Sequence, residues 1–326
     1  MVSITLGRTG LRVAPVAVGL WQAGLKLWGK TSMEELRGAI EEALVNGITL
    51  FDTAEIYGWG RSEELLGRIL KGRDAAIISK IAGYHTTRHG FHKAAQSISR
   101  RLGTIPAILL HHWPPPFHTP LCKVVGWLEE LVNKGYTEYI GVSNYPGRLL
   151  DKAMQCTKRH EIVVDQVQYS LAYRTPENDV TPVTGKEGVS IMAWSPLAKG
   201  ALASRVEADN WARRSDPVFR EAARDKILQE ALEKIAVEEG LTKAQVSLLW
   251  LRAKNAIPVV GVRRKNHVDQ IVGILDRRLS PQAVEVLDKA SERYLYRWGR
   301  SYGSLKYMRL IPAPLQWLSL RLLGGV

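Results

Sequence analysis

A repeated alternation constrains this chain more than any other feature. Eight short, apolar, largely β-branched runs recur along it: VAPVAVGLW, ITLFDTA, AAIISKI, AILLHHW, YIGVSNY, IVVDQVQYSL, VSIMAWSPL and AIPVVGVR. Between them lie stretches such as MEELRGAIEEALVNG, FHKAAQSISRRL and LCKVVGWLEELVNKG, whose apolar residues return at helical spacing. Near-continuous apolar strands are buried on both faces, which calls for a parallel sheet sheathed in helices. Eight such units in one chain predict a closed (β/α)8 barrel rather than an open doubly wound sheet.

Three pieces fall outside the rhythm. VSITLGRTGLRV reads as an N-terminal β-hairpin with a glycine-containing turn. An insertion from 203 to about 224 follows the seventh strand. Residues from about 293 to 326 form a C-terminal extension rich in Tyr and Trp that ends in LIPAPLQWLSLRLLGGV. No shift in composition marks a second domain, so residues 1–326 are read as a single barrel domain.

Charge and cysteine content narrow the function. The net charge is +13, but the basic residues are dispersed, which predicts a solvated basic surface rather than a nucleic-acid site. MVSITLGRTG has no apolar signal region, and no run of about 18 apolar residues could span a membrane. Cys122 and Cys156 form no CxxC or metal-binding spacing. They are expected to be free thiols in a reducing cytoplasm, without a structural disulfide and without a bound metal.

In a barrel of this kind, chemistry gathers where the strands end. The second strand ends at Asp52, with Tyr57 in the following loop; the third ends at Lys80 and the fourth at His111–His112. The fifth ends at Ser143–Asn144, the sixth carries Asp165, Gln166 and Gln168, and the seventh ends at Trp194–Ser195. The eighth runs into Arg263–Arg264–Lys265. Taken singly, each has an ordinary explanation as a turn former or a solvated strand end. Together, Asp52, Tyr57, Lys80 and a histidine converge on one rim.

That set suits proton transfer to a carbonyl. A free phenol titrates near pH ~10. An adjacent ammonium favours the phenolate, and a carboxylate holds that ammonium charged and in place. Tyr57 would act as general acid, or as base in reverse, while an imidazole N–H orients the carbonyl. No electron source is among these side chains, so redox chemistry needs a cofactor.

From Leu6 to about Leu275 the chain resembles the aldo-keto reductase superfamily, through GRTGLRVAPVAVGLWQAG, FDTAEIYGWGRSEELLG, IISK, LLHHWP, YIGVSNY, DQVQYSL, AWSPLAKGAL and PVVGVRR. The resemblance implies a barrel that binds NADPH without a Rossmann fold, with NADH left open, and reduces aldehydes or ketones. It carries the catalytic roles onto Asp52, Tyr57, Lys80 and His112; the last precedes the aromatic and proline of HHWP, and His111 should face the other way. It assigns Ser143, Asn144 and Gln166 to the nicotinamide carboxamide and Trp194 to stacking on the ring. Ser195, Leu197, Lys199 and Gly200 would cradle the pyrophosphate, and Arg263, Arg264 and Lys265 would read the 2′-phosphate. Trp21 and Gly261 complete the expected cofactor lining.

The chain departs from the family pattern at Gly261, where many members have Lys, and at His267 and Ile271, which replace a basic and an amide side chain. NADPH preference therefore rests on the RRK run. The partner is expected to be a small-molecule carbonyl compound. Rival readings are a cofactor-binding regulatory subunit with little turnover, and a Schiff-base barrel using Lys80 as nucleophile. Trp21, Trp28, Trp59, Trp113 and Trp211 are candidates to line the substrate rim. The apolar tail is expected to dock on the protein rather than on another subunit or a membrane.

Overall fold

The protein is described from a computed structural model, over residues 2–21, 32–203, 211–301, 305 and 307–322. Eight parallel strands close into a barrel: β3 (Ala17–Gly19), β4 (Leu50–Asp52), β5 (Ala76–Ile81), β6 (Ile108–His111), β7 (Tyr139–Ser143), β8 (Ile162–Gln168), β9 (Ser190–Trp194) and β10 (Ala256–Gly261), with β10 pairing β3. This is the (β/α)8 architecture that the alternation predicts. The hairpin of β1 (Ile4–Thr5) and β2 (Arg12–Val13) is antiparallel, and its Leu6 and Val13 pack into the barrel interior.

Side-chain alternation divides the strands into two cores. One parity of each strand faces inward: Leu50, Ile78, Leu110, Val164 and Met192 fill the barrel. The other parity, including Phe51, Ile77, Leu109 and Ala193, packs against the helices. Those helices include α1 (Met33–Val45), α2 (Arg61–Leu70), α3 (Arg88–Leu102), α4 (Leu121–Asn133) and α5 (Gly147–Gln155), followed by the short α6 (Pro176–Asp179) and α7 (Thr181–Glu187). The periodic stretches FHKAAQSISRRL and LCKVVGWLEELVNKG thus fall on α3 and α4, with Phe91, Ala94, Ala95 and Ile98, and Val124, Val125, Leu128 and Leu131, buried.

The described part of the insertion folds as α8 (Trp211–Arg214) and α9 (Pro217–Arg224), residues 204–210 lying outside the described residues, ahead of α10 (Lys226–Glu239) and α11 (Lys243–Ala253). Helices α12 (Lys265–Val272) and α13 (Pro281–Ala290) complete the barrel wall, and the extension ends in α14 (Ala313–Leu322). The side chain of α14 residue Leu320 joins Ala54, Ile56, Tyr57, Ala82 and Trp113 in a third apolar cluster at the barrel mouth. The tail therefore docks on the protein, across the carboxyl ends of the strands.

One expectation is overturned. Cys122 and Cys156 are joined by a disulfide that ties the first turn of α4 to the C-cap of α5, with Cα atoms 5.0 Å apart. Spacing in sequence could not show this pairing, because it depends on two neighbouring crossover helices lying side by side. The bond closes a separation of 34 residues, which in the chain-entropy picture restricts the unfolded state by about 3–4 kcal/mol. A reducing compartment cannot be argued from these cysteines.

Candidate active site

The catalytic candidates are the next inward layer after the barrel core. Asp52 lies two residues beyond inward Leu50, Lys80 two beyond Ile78, His112 two beyond Leu110, Gln166 two beyond Val164 and Trp194 two beyond Met192. Two residues is one full period of a strand, so each side chain stands above an apolar neighbour on the same face. Between them, His111 points outward and meets Phe91 and the Tyr145 hydroxyl, the latter 2.7 Å from its Nδ1. His111 thus faces away from the mouth, the direction expected from alternation.

Lys80 is fully buried and is the centre of the group. Its ammonium donates to Asp52 Oδ1 at 2.7 Å and Oδ2 at 2.8 Å, to the carbonyl of Thr53 at 2.9 Å and to Tyr57 OH at 3.3 Å. Gln166 Nε2 donates to Asp52 Oδ2 at 2.8 Å. The carboxylate is therefore held from two sides, by β5 and by β8. Breaking one partner of a buried ion pair is costly because the other is left without solvation. Burial pulls the Lys80 ammonium below its ordinary value, and Asp52 opposes that shift.

Tyr57 reaches this group through an unusual turn. Gly58, Trp59 and Gly60 have φ of 57°, 56° and 90°, three consecutive left-handed residues between Tyr57 and the start of α2. Such a turn favours glycine at two positions, and Trp59 adopts it at a cost of about 1–2 kcal/mol. The phenol is 8% exposed. Burial, reinforced by the Asp52 carboxylate, raises its pKa well above the usual tyrosine value. This is opposite to the direction expected from Lys80 alone: the ammonium is largely committed to Asp52, and the phenol is held protonated.

The His112 ring meets the Tyr57 ring edge-on, with centroids 5.7 Å apart and planes at 75°. Burial, with Lys80 and His111 adding to it, lowers the His112 pKa well below the ordinary histidine value. Its buried Nδ1 has no hydrogen-bond partner among the described residues. Trp113 closes the mouth from the far side, seated where a Cβ on Gly83 would lie 2.4 Å from its ring.

Next to the four lies a chain of polar contacts. The Trp194 indole N–H donates to Asn144 Oδ1 at 2.9 Å, and Asn144 Nδ2 donates to the His112 carbonyl at 2.9 Å and to Ser143 Oγ at 3.0 Å. Ser143 Oγ donates to the Gln166 carbonyl at 2.7 Å. Asn144 holds φ 61°, and beyond Trp194 the loop contains Ser195, Ala198 and Lys199 at φ 54°, 46° and 55°, then Gly200 at 104°. Several left-handed residues in one short loop form a strained turn, and such turns concentrate where backbone N–H groups receive anions.

Lys199 lies under the insertion. It pairs with Asp216 Oδ2 at 2.6 Å, Arg213 donates to its carbonyl at 3.0 Å, and its ammonium is 5.8 Å from the Trp21 ring centre. Leu197 packs against the main core. Gly261 ends β10 and is in register with Gly19. Beyond it, Arg264 pairs with Glu35 at 3.3 Å and Lys265 with Glu42 at 3.5 Å, both on the exposed face of α1. The Arg263 N–H donates to His267 Nδ1 at 3.2 Å, and His267 is held below its ordinary pKa by burial and by Arg263 and Arg264. The basic run thus sits against α1.

Among the rim tryptophans, Trp21 and Trp113 belong to the mouth cluster, while Trp59 is 37% exposed. Trp28 and the Trp211 side chain lie outside the described residues. Several supporting groups escaped the sequence reading. Glu63, taken only as part of a helix start, is fully buried and accepts from Ser79 Oγ and Arg101 Nε at 2.5 Å each. Glu55 accepts from the Ala82 N–H at 2.6 Å and bonds His85 at 3.0 Å, fixing the loop that carries Tyr57. A single carboxylate in a loop or in the first turn of a helix gives no periodic signal, so only the fold reveals these anchors.

The family model described as "Aldo/keto reductase family" matches residues 15–292. Pyridoxal reductase, chloroplastic, of Arabidopsis thaliana is 32% identical over 295 residues, covering 83% of this chain and 81% of that protein. Versiconal hemiacetal acetate reductase of Aspergillus parasiticus is 27% identical over 327 residues, 87% of this chain and 95% of that one. Among solved structures, a thermostable aldo-keto reductase in complex with epalrestat aligns with a TM-score of 0.77 and 31% identity, over 89% of this chain and 100% of the other. An aldo-keto reductase of Klebsiella pneumoniae in complex with NADPH aligns with a TM-score of 0.74 and 27% identity, over 90% and 96%. A matched family model spanning the whole barrel, and a closed eight-stranded fold shared with these structures, make this chain a member of the aldo/keto reductase family of oxidoreductases.

Proposed function

We propose that the protein reduces aldehyde or ketone carbonyls to alcohols with NADPH, Tyr57 donating the proton. One observation carries the reading: a single buried ammonium, Lys80, bridges the Asp52 carboxylate and the Tyr57 hydroxyl, with the His112 ring against the same phenol. The nicotinamide cofactor supplies the hydride when bound. Tyr57, held neutral by burial, is poised to hand its proton to the carbonyl oxygen as charge develops there. The nearby Lys80 ammonium then stabilises the phenolate left behind, and Asp52 and Gln166 keep that ammonium in place. His112 stays neutral, so it can orient the carbonyl without adding a charge to the pocket.

The residues present suit the cofactor. The left-handed loop of Ser195 to Gly200 is a pre-bent anion cradle. The Trp194 indole is fixed by Asn144 at its edge, which leaves its faces to stack. Ser143, Asn144 and Gln166 would line the carboxamide position. Arg264 and Lys265 are held by exposed carboxylates, pairs worth little in water and readily exchanged for a 2′-phosphate. The Klebsiella pneumoniae relative bound to NADPH supports the same assignment.

The Schiff-base reading loses ground because Lys80 is already engaged with Asp52, the Thr53 carbonyl and Tyr57. The test is NADPH consumption against a panel of aldehydes, ketones and quinones. Turnover of at least one aldehyde or ketone is expected. Tight NADPH binding with no turnover across the panel would favour a regulatory subunit instead.

A further inference from the structure

Helix α14 has two apolar stripes, and only one is covered. Ala313, Gln316 and Leu320 face the barrel and are buried. Leu315, Leu318 and Leu322 recur at the same helical spacing on the opposite side, and are 54%, 46% and 80% exposed. Leu310, just upstream, and Phe117, in the loop after β6 with its N–H donating to the Arg309 carbonyl, are also exposed, at 68% and 65%. The guanidinium of Arg309 lies 4.2 Å from the Phe117 ring centre and that of Arg321 lies 4.8 Å from that of Trp317. Among the described residues, neither of these arginines pairs with a carboxylate.

Charge decides what covers such a face. Residues 293–326 contain six basic side chains and not one Asp or Glu, in a chain of net charge +13. Arg293 and Arg297 are engaged by Glu221 and Asp225 on the barrel side, whereas Arg309 and Arg321 each neighbour an exposed leucine, Leu310 and Leu322. Two copies of this chain meeting through the face would bring like charges together. An anionic bilayer surface satisfies all three components at once: leucines enter the acyl boundary, Trp317 sits at the headgroup level, and the arginines meet lipid phosphates.

We propose that the outer face of the C-terminal extension is a peripheral docking surface for anionic membranes. The family-matched region stops at 292, so this surface is an addition to the barrel. Because the inner stripe of the same helix packs on Tyr57 and Trp113, docking turns the barrel mouth toward the bilayer, the phase in which apolar carbonyl compounds accumulate.

The experiment is co-sedimentation of the full-length protein with phosphatidylcholine vesicles, with and without phosphatidylglycerol. Binding is expected only to the anionic vesicles, and is expected to weaken at least about tenfold when salt cuts the screening length from about 10 Å to about 3 Å. Leu315→Glu with Leu318→Glu should abolish binding, and Arg309→Gln with Arg321→Gln, which keeps every leucine, should weaken it by about tenfold or more. Both double variants should turn over a water-soluble aldehyde at the parent rate. Val45→Glu, at a distant site 82% exposed on α1, should bind like the parent. Failure of the parent to pellet with anionic vesicles would overturn the proposal, as would undiminished binding by the leucine variant. A parent dimer in sedimentation velocity that the leucine variant dissolves would assign the face to a second copy and equally refute it.

Discussion

The indole N–H of Trp113 donates to Gln316 Oε1 at 2.9 Å, joining two residues 203 positions apart with Trp113 1% and Gln316 0% exposed. Gln316 in turn donates to the carbonyls of Met308 at 2.7 Å and Ile311 at 2.9 Å. One side chain thus shapes the tail and latches it to the barrel mouth. Gln316→Ala leaves a buried indole N–H without a partner, at a cost of about 1–3 kcal/mol. Tryptic cleavage at Arg309 and Arg321 should accelerate in that variant, because the extension opens more often. Unchanged cleavage rates would mean the latch does not hold the tail.

Tyr57→Phe should lower kcat for carbonyl reduction by about 10²–10⁴ while NADPH affinity, read by fluorescence titration, stays near the parent value. Near-parental turnover would remove Tyr57 from the chemistry. The raised pKa of Tyr57 sets the pH dependence. The protonated phenol, which reduction needs, persists below that value, so reduction should hold steady up to pH ~9, a unit below the ordinary phenol. Alcohol oxidation needs the phenolate and should be slow at neutrality and rise with pH.

Replacing both Arg263 and Arg264 with Ala should weaken NADPH binding by tenfold or more, about the loss of one or two charge-assisted contacts. NADH affinity should change little. Equal losses for both cofactors would show that the run does not read the 2′-phosphate.

Acid should destabilise the fold through His111. Burial, with His85 adding to it, holds its pKa at about 3 in the folded protein, against about 6.5 when unfolded. The unfolded state therefore binds the extra proton between those values, so stability is full above pH ~6.5 and falls as pH drops toward ~3. His112 is shifted in the same sense. Urea midpoints should decline from pH 7.5 to pH 5, and His111→Leu combined with Tyr145→Phe, which strands no hydroxyl, should flatten the decline.

The disulfide is directly testable. Denatured, unreduced protein should show no thiols by colorimetric titration, and two after reduction. Cys122→Ser should lose about 2–4 kcal/mol of stability. Two thiols in the untreated protein would show that the pair is reduced there.

How much of this was legible in the sequence follows from which signals are periodic. Strand ends gathered Asp52, Lys80, the His111–His112 pair, Gln166 and Trp194, and the family resemblance selected His112; the structure stands Asp52, Lys80, His112, Gln166 and Trp194 on one inward layer because a strand repeats every two residues. With His112 chosen by the resemblance, the same period turns His111 outward, as the structure has it. Helical spacing likewise marked α3 and α4, and the eightfold count specified a closed barrel.

What the tertiary structure alone decided are relationships between segments that no local period encodes. The Cys122–Cys156 bond, the Lys199–Asp216 clamp from the insertion and the Trp113–Gln316 latch each join groups whose nearness depends on how helices and loops pack. The Tyr57 pKa belongs to the same class. Its direction depends on how completely the tail and rim exclude water and on how far Asp52 claims the Lys80 charge. Sequence determined which chemical groups reach the rim; only packing determined how dry that rim is, and so which proton Tyr57 holds.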